Sequence, residues 1–515
     1  MTAPVSLFLL LCLGTAASSS PVAITLLSST PINLIGRTYV STNVDPSCNR
    51  GFHHTNFSNP NLLAALTALY PSRLRFGGSG ADSLLYGLSD PSVCAGVAPA
   101  PAPPANGCSF GTPGCLNASH WERLYHLANT SGTEFIFGVS FQKSISCSAT
   151  YEWAQGSGYA NAQALLAYLT ARQQRIWGYE LGNEVNLAPA QCHASPGQQA
   201  RALNAFHALA RTYALPGGAG ALIGPDTGDI NAQPWLAGLL PLVPNLTAAT
   251  HHQYNGLSRS NWDSPAQLDA LTPEMDWFAA LVRQRAPGAQ VWAGEVGPSG
   301  GGENGTCVPG AVCGTFASSV WYADDLGQRA ARGYHHHQRQ DLFGGNYGLT
   351  RGLVSGNLAL GAEEGLVLLP DFWVAFLWKR ALGPSVLNVT SSLPSVRAYG
   401  YAGLPPSQFA AAPCALGGAA QYLLINLNGT AAAAAALPPA PAGARYAAWS
   451  LAAGAGGVFG PLATLNGEPL PAAVDVAAGG DPGAFLRGIV QPAVQGEAAA
   501  GVALPPHSAT FVCVA

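Results

Sequence analysis

Charge is what this sequence has least of. Lys and Arg number 22 and Asp and Glu 26 in 515 residues, 9% charged in all, against roughly 25% in an average soluble domain. There is no Lys/Arg run, and the net charge is −4. Nucleic acid therefore has no electrostatic footprint here. A densely sulfated polyanion is also a poor match, because neutralising it needs clustered basic residues. Past the first twenty residues no apolar stretch is long enough to span a bilayer, and the alanine run at 431–436 is cut by Pro438 and Pro439. No internal repeat of fixed period is present.

What is there suggests export. Ser6 to Leu13 is apolar and is followed by Gly14-Thr15-Ala16-Ala17-Ser18, so residues 1–20 read as a secretory signal peptide. Of eleven cysteines, Cys12 leaves with that signal and ten remain, an even number suited to disulfides in an oxidising compartment. Cys108/Cys115 and Cys307/Cys313 are close enough in sequence to close small loops, whereas Cys48, Cys94, Cys147 and Cys192 cannot be paired from sequence. N-x-Ser/Thr sequons fall at Asn56, Asn117, Asn129, Asn245, Asn304, Asn388 and Asn428, and glycans on them would supply solubility that few surface charges provide. The destination after export is the extracellular space or cell wall, with a vacuole or lysosome as the alternatives.

A chain of this length exceeds one ordinary core and suggests a large domain plus a smaller one. From about residue 35 to 384, short apolar runs alternate with helical patterns: strands at 73–76, 134–141, 176–181, 222–224, 248–254 and 291–293, and helices at 62–70, 162–172, 196–213 and 273–285. Repeated β-then-α over this length favours a (β/α)8 barrel. Near residue 385 the texture turns to strands separated by Gly/Pro/Ala linkers, as at 422–427 and 509–514, which suggests a β-sandwich over 385–515. A strand from 21–34 is expected to join it. The Pro-rich stretch at 97–107 reads as a surface loop.

Glutamates at strand ends are the candidate chemistry. Glu184 follows the run 176–181 and a glycine, and Glu295 follows Val291-Trp292-Ala293-Gly294. In a β/α barrel such positions converge at one face, and two carboxyls flanking an anomeric carbon are what glycoside hydrolysis requires. A single strand-end Glu is more often a solvated loop residue; two at matching places, with few acids elsewhere, shift the balance. Glu180 sits mid-strand and reads as buried and hydrogen-bonded, and Glu303 reads as a solvated acid in the glycine loop. His335-His336-His337 alternate faces on a strand and cannot converge on one ion, so no metal and no cofactor is expected.

The segments YPSRLRFGGSGAD (70–82), WGYELGNEVN (177–186), LIGPDTGD (222–229), THHQYNG (250–256), VWAGEVGPSGGG (291–302), RQDLFGGNYGL (339–349), PDFWVAFLWKRALG (370–383) and YLLINLN (422–428) together resemble the heparanase-like family, glycoside hydrolase family 79 of clan A. RQDLFGGNYGL looks nearer the plant members than the animal heparanases. The resemblance implies a retaining β-glucuronidase: Glu184 as proton donor, Glu295 as nucleophile, Asn183 on the sugar 2-hydroxyl, and Gly345 and Tyr347 on the uronate carboxylate. It also implies substrate contacts at Ser79 and Gln340, and His252 and Tyr254 beside the nucleophile. Where the family has a sugar-contacting Asp, the match here is Asn43, with Asp45 close by; GLN after the third strand becomes GVS at 138–140. Cys414 and Cys513 match the family's C-terminal disulfide. The expected partner is a carbohydrate containing β-linked glucuronic acid. The rivals are an inactive carbohydrate-binding scaffold on the same fold and an endo-acting heparanase.

Overall fold

The computed structural model describes residues 21–46, 55–97, 114–141, 152–187, 194–228, 233–300, 311–345, 347–356, 360–406, 414, 420–474 and 494–514. The expected signal peptide, residues 98–107 of the Pro-rich stretch, Glu303, Asn304, Cys48, Cys108, Cys147, Cys192 and Cys307 lie outside them.

Eight parallel strands close into a barrel: β1 (Val40–Val44), β2 (Arg73–Phe76), β3 (Glu134–Val139), β4 (Gly178–Leu181), β5 (Ala221–Thr227), β6 (Ala248–Tyr254), β7 (Gln290–Gly297) and β8 (His336–Arg339). Each pairs with the next, and β8 returns to β1 with His337 opposite Val40. Strands covered by helices outside and side chains inside are buried on both faces, which is why β3 is buried from Phe135 to Val139. Strand β1 escaped the sequence reading because three of its five residues, in VSTNV, are polar; β8, HHQR, was read only as a strand carrying the histidines. Helix limits follow their caps. Helix Pro196–Ala210 starts at a capping box in which Ser195 and Gln198 satisfy each other's backbone amides.

The strand Val22–Leu34 pairs antiparallel with Ser385–Ser391 and, through Val22 and Ala23, parallel with Ala433–Ala436. It thus enters an eleven-stranded sheet whose other strands come from residues 385–514. This sheet forms the second, sandwich-like layer and encloses its own core of Val22, Ile24, Tyr422, Leu424, Val502 and Val512. Its outer face packs on helices Phe316–Ala331 and Pro370–Ala381, which are buried along almost their whole length between sheet and barrel. No helix of the described residues is long and apolar enough to cross a membrane.

Two disulfides are described. Cys414–Cys513 ties residue 414 to the last strand, Ser508–Val514. Cys115 is bonded to Cys94, not to Cys108. Proximity in sequence was the wrong guide, because the strand Leu84–Gly87 pairs in parallel with Gly114–Asn117 and brings the turn at 91–94 alongside Cys115. Gly87 leaves the room: a Cβ there would sit 2.7 Å from the Cys94 sulfur. Cys313 is also disulfide-bonded.

Candidate active site

The C-terminal ends of β2, β4, β5, β6 and β7 bring together one arginine, one histidine and four acids. Arg75, on β2, is the hub. Its Nε donates to Glu180 Oε2 at 2.7 Å, Nη1 to Glu295 Oε2 at 3.0 Å and Nη2 to Asn183 Oδ1 at 3.1 Å. Asp226 Oδ2 lies 3.9 Å from Nη2. Gly77 makes this possible: a Cβ there would come within 2.6 Å of the guanidinium carbon.

Glu295 is held from both sides. Tyr254 donates to Oε1 at 2.5 Å while Arg75 occupies Oε2. A bulge in β7 sets its position, since Ala293 pairs with His251 but Glu295 pairs with His252, leaving Gly294 as the extra residue. Glu184 stands just past β4. Its backbone amide donates to the Asp226 carbonyl at 2.8 Å, and its Oε1 lies 2.9 Å from His252 Nδ1. The other ring nitrogen of His252 is 3.4 Å from Asp226 Oδ1. Both Glu184 and Asp226 have φ in the left-handed region, 47° and 52°, a conformation that costs an ordinary residue roughly 1–3 kcal/mol and persists where surrounding contacts enforce it. Here those contacts are each other's backbone and the absent side chain of Gly228, whose Cβ would meet the Glu184 carboxyl at 2.6 Å.

Carboxylate oxygens of Glu184 and Glu295 and a ring nitrogen of His252 all lie within 4.8 Å of one another. This is the described cluster whose donor types could hold a cation, although Arg75 and Tyr254 already engage both oxygens of Glu295. Glu184 is the open member, its side chain 23% exposed against 8% for Glu295. The three consecutive histidines diverge: His335 accepts from the Val291 amide, the His336 ring lies tilted against Trp292, and His337 pairs with Asp325.

Three carboxyls, Glu180, Asp226 and Glu295, share one guanidinium. Burial first, and then Asp226, push Glu180 up to about 8 against the pull of Arg75. Asp226 is equally buried, yet Arg75 and His252 hold it below its usual range. Burial lowers His252, but Glu295, Asp226 and Glu184 outweigh it and raise the imidazole to about 10. A histidine raised in this way contributes stability that is complete below its unfolded value of 6.5 and is lost as pH rises toward 10. Glu180 acts in the same direction, because the unfolded chain releases this proton near 4.5 and the folded one near 8. The thermal midpoint is therefore expected to fall as pH rises from 6.5 to 10, more steeply in the parent than in His252→Gln. Parallel profiles in a thermal melt series would overturn this account of His252.

The remaining sequence candidates surround this cluster. Asn183, besides meeting Arg75, donates to Ser79 Oγ at 3.4 Å. Tyr347 and Tyr254 have ring centroids 6.2 Å apart, and Gly345, at φ 54°, lies against the Tyr347 ring. Gln340 donates to Asp45 Oδ2 at 3.4 Å. Asn43 differs from the rest. It has no exposed surface and donates to the Gly294 carbonyl beneath Glu295. Glu180 is buried and hydrogen-bonded, as its mid-strand place suggested. Arg75 and Asp226 were missed as functional residues. The signal for both was present in RLRFGG and GPDTGD: a charge inside a run that is otherwise apolar or turn-like.

Residues 47–327 match the sequence profile of the N-terminal domain of glycosyl hydrolase family 79. Heparanase-like protein 3 of Arabidopsis thaliana is 26% identical over 355 residues, 67% of this chain and 62% of that protein. The match thus spans less than two thirds of that relative's length. Baicalin-beta-D-glucuronidase of Scutellaria baicalensis is 26% identical over 475 residues, covering 85% and 84% of the two chains. Mouse heparanase is 26% identical over 424 residues, 73% of each. Among solved structures, a GH51 arabinofuranosidase from Xanthomonas axonopodis pv. citri superposes with TM-score 0.66 at 13% identity, over 96% of this chain and all of the other. A 4-O-alpha-L-rhamnosyl-beta-D-glucuronidase from Fusarium oxysporum gives TM-score 0.59 at 14% identity, over 96% and 99%. These two likenesses concern the fold.

Proposed function

The chain belongs to glycosyl hydrolase family 79, and on that premise we propose that it is an exported retaining β-glucuronidase. The observation that carries the retaining mechanism is the separation of the two carboxylates, with oxygens within 4.8 Å. Retaining enzymes hold their carboxyls about 5–5.5 Å apart, and inverting enzymes need roughly 6.5–9.5 Å to admit a water. In the first step Glu184 gives its proton to the glycosidic oxygen while Glu295 attacks the anomeric carbon. The carbon–oxygen bond to the aglycone breaks and a glycosyl ester forms on Glu295. In the second step Glu184 takes a proton from water, whose oxygen displaces Glu295 and restores both groups. Arg75 and Tyr254 hold the nucleophile's oxygens in place. His252 positions Glu184.

For the sugar, the reading rests on two supports. The relative matched over the largest share of both chains among those above is named for a β-D-glucuronide. Arg75, at the centre of the cluster, is engaged by carboxylates, so a uronate would be recognised by neutral donors, of which the Tyr347 hydroxyl and the Gly345 amide are the candidates. Aryl β-glucuronide, β-glucoside and β-galactoside should be compared at equal concentration. Turnover of the glucuronide at least about 10²-fold faster than of the others is expected, the discrimination a site built on hydrogen bonds readily reaches. Preference for the glucoside sinks the uronate assignment. Folded protein that hydrolyses none of the three would favour the inactive scaffold.

A further inference from the structure

A groove of about 670 Å³ runs between the two layers of the molecule, away from the glutamates. One wall is the sheet, from the strands Ser385–Ser391 and Val396–Ala402; the other is the barrel helices Thr272–Arg285 and Phe316–Ala331. Its volume falls in the roughly 300–1,000 Å³ of sites that bury small ligands. The walls mix apolar side chains with hydrogen-bonding groups. Ile32 and Leu393 leave 45% and 46% of their surface exposed, while Thr272, Gln328, Arg397 and Tyr399 are polar residues of the lining, Thr272 hydrogen-bonded to Gln328, and Arg397 and Tyr399 to Asp324.

The sequon Asn388-Val389-Thr390 is part of the sheet wall. Which way Asn388 faces follows from strand alternation. Val386 packs in the core shared with the barrel. Leu387 pairs with Gly400 and points the other way, since a Cβ on Gly400 would lie 3.3 Å from the Leu387 Cβ. Asn388 therefore shares the barrel-facing side with Val386. Continuing the register Val386↔Tyr401, Leu387↔Gly400 sets Asn388 opposite Tyr399, whose hydroxyl donates to Asp324 on the barrel helix at 2.6 Å. Arg397 crosses the same gap, ion-paired to Asp324 at 2.9 Å and to Asp269. Asn388 itself makes no side-chain hydrogen bond among the described residues, whereas the sequon asparagines Asn56, Asn117 and Asn428 each use their side-chain oxygen in a turn or cap.

We propose that Asn388 carries an N-linked glycan whose first sugars occupy this groove and brace the sheet against the barrel. Sugar rings present apolar C–H faces to Ile32 and Leu393 and hydroxyls to the polar groups between them. Attachment to the nascent chain, before the two layers meet, lets the glycan lie in the groove as it forms. The inference requires export but not the proposed activity.

The test uses the full chain secreted from a eukaryotic host. Mass spectrometry of the Asn388 peptide should show a glycan. In the native protein that glycan should resist amidase digestion that strips exposed Asn129, Asn245 and Asn428, and should yield to it after denaturation. Asn388→Gln and Thr390→Ala should each lower Tm by about 2–4 °C, while Thr390→Ser, which keeps the sequon, should not. Bare Asn388, release from native protein at the rate of the exposed sites, or a Tm unchanged in Thr390→Ala would each overturn the proposal. The first two readings are made on the unmutated chain, so a variant that fails to fold does not leave the question open.

Discussion

Glu295→Gln is expected to lower kcat for an aryl β-glucuronide by about 10⁴-fold or more while leaving the fold intact, because the nucleophile of a covalent mechanism has no substitute. The amide keeps the size of the carboxylate; its one oxygen can still accept from Arg75, and its NH2 can donate to the Tyr254 hydroxyl oxygen, so both groups that hold the native side chain keep a partner. Glu184→Ala should behave differently. With a nitrophenolate leaving group the first step needs little proton donation, so the enzyme should stall at the glycosyl ester, and azide should restore turnover and give a β-glycosyl azide. Rates within tenfold of the parent for Glu295→Gln would refute the assignment of the nucleophile. An α-configured azide product would refute retention.

The second large effect is expected at Arg75. Removing one member of a buried ion pair leaves an uncompensated charge and costs about 3–5 kcal/mol. Arg75 faces Glu180, Asp226 and Glu295 at once, so Arg75→Met should lower the free energy of unfolding by at least that amount, read as a lower denaturation midpoint. Arg75→Lys should rescue only part of it. Three different guanidinium nitrogens bond three different residues, a fork that one ammonium cannot reproduce. Pairing Arg75→Met with Glu180→Leu should recover stability relative to the single variant, since one of the buried stranded carboxyls is then gone. A double variant no more stable than Arg75→Met would show that Glu180 is not the residue this arginine chiefly supports. Loss of activity in Arg75→Lys with a near-native midpoint would separate its hold on Glu295 from its part in folding.

The barrel and its two glutamates could be read from sequence because apolar runs of strand length end in Gly-x-Glu and Gly-Glu. Strand β6 and strand β2 have the limits expected from composition alone. Arg75 could not be read in this way. Alternation puts Arg73 and Arg75 on one face, and for an ordinary strand that face is solvent; in a closed barrel it is the interior, and only closure reveals it. Asp226 was hidden by Gly224-Pro225, which resembles the start of a surface turn but is the end of β5. The Cys94–Cys115 bond depends on a strand pairing 30 residues apart, between Leu84 and Gly114, that no local signal announces. The place of Asn43 beneath Glu295 likewise depends on the bulge at Gly294, which a linear reading cannot see.

The pairing of Val22–Leu34 with Ser385–Ser391 also has a consequence in time. On a ribosome adding about 5–20 residues per second, roughly 20–70 s separate the emergence of this strand from that of its partner. Through that interval the whole barrel sequence is already available to fold, while Val22 and Ile24, which end in the second core, have nothing to cover them. The strand that enters the sheet from the barrel's N-terminal side is thus the first made and among the last seated. The passage between those two moments is when this chain is most open to pairing with another copy of itself.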